Sequence, residues 1–145
     1  MNFLSAEQLI IDRLESQLSK PTKVMSVMDI STIKDLSQFA PVVYITYDGM
    51  SDQSKSNTGA AQKVLQRWSV VTAVRGMNQS HTGFDARTEA GKILDEVLTS
   101  LLGYQLSPKH FYFRLVDAPG AFYDGGFVFF PLIFETYITL VGKQT

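Results

Sequence analysis

The chain has 145 residues, 45% hydrophobic and 19% charged, with a formal net charge of −1. That length fits one domain, able to bury about 70% of its unfolded surface without covalent staples. The near-neutral balance argues against a nucleic-acid binder, which normally shows a basic face, and the lack of cysteine removes disulfides, thiolate metal sites and thiol nucleophiles.

Ser5 stands three positions before Gln8, the spacing of a capping box, with Leu4 and Leu9 placed for a hydrophobic staple. Ile10, Ile11, Leu14 and Leu18 recur at helical spacing among Asp12, Arg13, Glu15 and Gln17. This predicts an amphipathic helix ending near Ser19, because Pro21 cannot continue it. The opening residues carry no basic stretch, so no signal peptide is expected. The longest apolar run, residues 127–134, is far short of the ~20 residues that cross a bilayer. A soluble chain made in the cytoplasm is expected.

Residues 22–28 read as a short strand, and Ser31 as the start of a helical turn through Ile33, Leu36 and Phe39. Residues 42–47, Val-Val-Tyr-Ile-Thr-Tyr, form a strand whose unbroken apolar character calls for cover on both faces. The polar stretch that follows is rich in Ser, Asp, Asn and Gly and joins two strands that should pair as a hairpin. Ordinary hairpin loops have about 2–5 residues. Residues 49–60 are therefore expected to be a flexible loop or an arm ordered against a partner.

Residues 62–75 are the centre of the pattern. Val64, Trp68, Val70, Thr72 and Val74 fall on one face and should meet the core. Leu65, Arg67, Ser69, Val71, Ala73 and Arg75 fall on the other, a mixture suited to contact rather than to full solvation. A second, longer helix is predicted from about Phe84 to Leu102, with Ala86, Ala90, Ile93, Leu94, Val97, Leu98, Leu101 and Leu102 on its apolar side. Gly103 sits where a left-handed residue ends such a helix. Phe111, Phe113 and Leu115 alternate with Tyr112, Arg114 and Val116 in a further strand, and turns follow at 117–120 and 123–126. Residues 127–141 close the chain as a long strand, in which Pro131 removes a ladder donor and calls for an edge or a bulge. The predicted fold class is α+β, a single domain over residues 1–145, with a mainly antiparallel sheet of about four to five strands and two helices on one face.

Chemistry is sparse. His81 and His110 have no partner at metal-ligand spacing. Asp12 with Glu15, and Asp95 with Glu96, lie on outer helix faces and read as solvated surface. Gly125-Gly126 precede a strand instead of a helix, so they are turn glycines and no phosphate cradle. Tyr112, Phe113, Phe127, Phe129 and Phe130 could form a stacking platform for single-stranded nucleic acid, but only Lys109, His110 and Arg114 lie nearby, which favours core packing and subunit contact. Two arginines on a half-apolar strand face, a long polar hairpin segment and an aromatic last strand instead suggest a chain completed by its neighbours.

With these features the chain resembles the tail terminator proteins of long-tailed bacteriophages, the Mu-like group more closely than the lambda-like group. The resemblance rests on residues 40–49, Ala-Pro-Val-Val-Tyr-Ile-Thr-Tyr-Asp-Gly, residues 66–75, Gln-Arg-Trp-Ser-Val-Val-Thr-Ala-Val-Arg, and residues 86–94, Ala-Arg-Thr-Glu-Ala-Gly-Lys-Ile-Leu. Gly103-Tyr104, where the family often carries Gly-Trp, and residues 123–135 complete it, so the likeness spans nearly the whole chain. None of these segments is a catalytic signature.

The resemblance implies a structural virion protein, neither an enzyme nor a cofactor binder, assembled in the bacterial host cytoplasm. It implies a homohexameric ring on the head-proximal end of the tail tube that stops polymerisation and joins the tube to the head. The implied partners are copies of the chain, the tail tube protein and a head-completion or connector protein. Neither a membrane nor specific nucleic-acid binding is expected, although DNA can pass through the ring. Candidate interface residues are Ser51, Asp52, Lys55 and Asn57 on the hairpin segment, with Arg67, Ser69 and Arg75 on the second face of the central strand. Two other roles stay open on the residues alone: a neck or head-completion adaptor or minor tail protein, and a small α+β ligand-binding or enzyme domain.

Overall fold

The period-two pattern of residues 62–75 emerges as the middle of a sheet. A computed structural model describes residues 2–19, 22–26, 41–76 and 83–143. In chain order the elements are α1 (Ala6–Gln17), β1 (Lys23–Ser26), β2 (Val42–Lys55), β3 (Ala61–Arg75), α2 (Gly83–Leu101), β4 (Arg114–Asp117), β5 (Phe122–Asp124) and β6 (Phe127–Val141). The six strands form one sheet in the order β1-β2-β3-β6-β4, with β5 beside β6, and every pairing except that of β1 with β2 is antiparallel. This is the expected α+β architecture, with one strand more than expected because β5 forms within the region read as turns.

The drier face of β3 meets the helices. Trp68, Val70 and Val74 are fully buried with Val43 and Ile45 of β2 and Phe134 of β6, beneath Ile10 and Leu14 of α1 and Ala90, Val97 and Leu101 of α2. Burying each such large side chain contributes about 1.5–3 kcal/mol, which is how an amphipathic stripe becomes a fixed helix position. The same face carries buried Gln66, whose Nε2 donates to the Phe3 carbonyl at 2.7 Å and ties the start of the chain to the sheet.

Several boundaries differ from expectation. The capping box at Ser5 does not form: Ser5 has helical φ and ψ and no side-chain cap bond, and Gln8 donates instead to Asp12, one turn on. Leu18 turns extended and ends α1 at Gln17, two residues short of the expected Ser19. The polar segment after residue 47 is paired with β3 as far as Lys55, leaving a turn of only 56–60. Hydrogen bonds to β3 here override weak strand propensity, and the surplus length is taken up by register shifts between Tyr47 and Met50 and between Asp52 and Ser54. The strand expected over 111–116 is regular only from Arg114, preceded by isolated bridges at Tyr112 and His110. Pro131 causes no break in the β3–β6 register; it stands between the stretches of β6 covered by β5 and by β4. The helical turn expected near Ser31 lies outside the described residues, as does the turn beyond Gly76. No described helix is long and apolar enough to cross a membrane.

Candidate functional site

With the helices on one face, register decides what the other face presents. Residues opposite one another on neighbouring strands share a face, so Tyr44, Arg67, Ser69, Val71, Phe129, Ile133 and Glu135 all lie on the side away from α1 and α2. No described helix covers this side.

One half of it is aromatic. Phe122 of β5 stacks on Phe129 of β6 at 4.9 Å between ring centroids, and Tyr44 of β2 meets Phe129 edge-on at 6.5 Å. Burial among these rings pushes the Tyr44 phenol above its ordinary value. Phe113 and Phe130 pack into the opposite, helix-covered core, so the sequence-level aromatic group divides between two faces.

The other half is ionic. Arg67 of β3, Glu135 of β6 and Arg114 of β4 form a row across three strands. The Arg67 guanidinium donates to Glu135 Oε1 through Nε at 3.2 Å and Nη2 at 2.7 Å, and Arg114 Nη2 lies 3.3 Å from Oε2. Glu135 is 5% exposed. A carboxylate so buried is tolerable only when paired, and here each oxygen has its own cation. The hydrogen bond and charge of Glu135 in turn hold the Arg67 guanidinium still more firmly protonated. Beside this row Ser69 Oγ donates to Asp48. The register shift after Tyr47, with Gly49 at φ 103°, opens a shallow depression of about 150 Å³ lined by Asp48, Gly49, Met50, Ser51, Leu65, Arg67 and Glu135.

The structure brings Ser51 and Arg67 together in the lining of this depression, and Ser69 joins them only through its bond to Asp48. Asp52 and Lys55 stand further along the hairpin, opposite Val64 and Gln62, and exposed Asn57 is in its turn. Arg75 lies opposite Phe127 at the far end of β3, roughly 27 Å of strand from Arg67. Sequence reasoning missed Asp48, Arg114 and Glu135. A lone carboxylate in the middle of the apolar run of β6 was the visible signal for the last. Among the described residues no three His, Asp or Glu side chains gather into a metal-binding set.

The arrangement offers a contact surface: a broad sheet face, aromatic at one end and ionic at the other, beside a long hairpin. No curated protein matches the chain. The family model described as phage tail terminator protein matches residues 1–144, so the chain belongs to the phage tail terminator family and is a structural component of the phage tail.

Proposed function

We propose that copies of this chain close into a six-membered ring that caps the head-proximal end of the tail tube. The ring stops tube growth and presents its other side to a head-completion protein. The observation that carries this reading, beside the family, is the helix-free sheet face with its ordered Arg67–Glu135–Arg114 row and aromatic end. A closed ring needs a patch that meets a different patch on the next copy, and the two layers of this fold present unlike surfaces. Ser51, Asp52, Lys55 and Asn57 on the hairpin, with Arg67, Ser69 and Arg75 on the sheet, are assigned to subunit and tube contact. Assembly takes place in the host cytoplasm before the tail joins the head.

Solution mass measurement with negative-stain imaging, alone and with purified tail tubes, tests this. Rings of six, free or on tube tips, are expected. A protein that stays monomeric even with tube tips present refutes the ring. Charge swaps at Arg67 and Arg75 that leave ring formation and tail length unchanged refute the residue assignment.

A further inference from the structure

The edge of the sheet next to β6 carries a second surface that the sequence pattern did not separate from the core. Phe111 is 55% exposed and Tyr112 51% exposed, although both sit in a stretch anchored on β6: the Phe111 amide donates to the Tyr137 carbonyl, and Thr136 Oγ1 donates to the Phe111 carbonyl. The rings of Phe111 and Tyr112 lie 5.3 Å apart and those of Phe111 and Tyr137 5.6 Å apart. Two cations stand over Tyr137, Lys63 at 5.5 Å and Arg114 at 5.1 Å from its centroid, and exposed Lys109 precedes Phe111 by two residues in the chain. Exposed aromatic rings held rigid by backbone bonds and flanked by cations make an anchor at low entropic cost.

The opposite layer has the complementary charge. α1 carries three carboxylates against one guanidinium, and α2 four carboxylates against two cations. Arg13, the one cation of α1, is turned inward, with Nε on the Ser100 carbonyl and its guanidinium over Tyr104. Asp12 and Asp95 remain outward and exposed. The helices pack on the face of the sheet away from Lys63 and Tyr137, so the acidic and the basic-aromatic surfaces cannot meet within one molecule.

We infer that the Phe111–Tyr112–Tyr137 edge with Lys63 and Lys109 docks on the acidic helix layer of a second copy of this chain. The inference rests on the ring reading and names the two unlike patches that such a ring requires. Complementary charge steers the encounter, and the aromatic rings supply the buried contact.

Paired charge reversals test it. Lys63→Glu with Lys109→Glu makes the edge acidic, and Asp12→Lys with Asp95→Lys makes the helix layer basic. Each variant alone, folded by circular dichroism, is expected to weaken self-association about tenfold or more, as like charges placed opposite each other do. An equimolar mixture of the two is expected to recover assembly, because every contact in an alternating ring is again of opposite sign. Normal assembly of either variant alone, or failure of the mixture to recover, overturns the docking while leaving the ring intact. Wild-type protein that never assembles, even on tube tips, removes the ring and this inference with it. Binding of single-stranded DNA by the wild type, lost in the edge variant while assembly is unchanged, overturns it by assigning the edge to nucleic acid.

Discussion

Arg67 and Glu135 stand directly opposite each other on β3 and β6, and the guanidinium places two donors on one carboxylate oxygen. The pair fixes charge at the centre of a face that no described helix covers. Its partners are 68 residues apart in sequence, so it also reports that the two longest strands have found their register.

Arg67→Glu sets two carboxylates opposite each other and is expected to lower the urea midpoint, since like charges facing across a ladder destabilise it. Adding Glu135→Arg is expected to restore part of the loss. Full recovery is not expected, because the new guanidinium then faces Arg114. Equilibrium urea unfolding of the two single variants and the double variant measures the coupling.

Leu14 is fully buried in α1 against the sheet. Leu14→Ala is expected to cost about 2–5 kcal/mol through lost burial and the cavity left behind. Thermal unfolding should shift down by about 2–4 °C for each kcal/mol in a chain of this size. Unchanged unfolding would mean that α1 is not packed on the sheet as described.

Gly103 ends α2 at φ 71°, with its amide donating to the Phe113 carbonyl. A Cβ there would meet nothing within 4 Å, so the cost of Gly103→Ala is conformational alone. It is expected to be about 1–2 kcal/mol, the penalty for a left-handed non-glycine residue. Denaturant titration against wild type measures it.

His110 is 2% exposed, with Nδ1 at 2.7 Å from Ser107 Oγ and no partner for Nε2 among the described residues. Burial lowers its pKa below the ordinary 6.5. Its contribution to stability is complete above 6.5; as the pH falls below that value, the unfolded chain takes up a proton that the native chain resists, and stability falls until the native pKa is reached. His110→Gln is expected to flatten the stability profile over that interval. An equal slope in both proteins, from urea midpoints between about pH 5 and pH 7, would exclude the histidine as its source.

Local pattern made some features legible. The alternation of Trp68, Val70, Thr72 and Val74 named the buried face of β3, and Gly103 marked the end of α2. Features set by distant partners were hidden. Asp48 to Lys55 read as loop because their residue types disfavour strands, yet β3 pairs with Met50, Ser51, Asp52, Ser54 and Lys55. The Ser5–Gln8 spacing suggested a reciprocal cap, but Ser5 takes a helical conformation and Gln8 bonds forward to Asp12. At the candidate site the arginine was visible and its counter-ion was not, because Glu135 reaches Arg67 only once the β3–β6 register is known.

Pro131 has one more effect. Long strands at high copy number are a hazard, since an incoming chain can zip along any open rim and seed fibrils. Where β4 and β5 leave β6 uncovered, the backbone has an imino acid and can offer no donor to a zipping strand. At that gap Pro131 weakens any further pairing along the outer rim of β6.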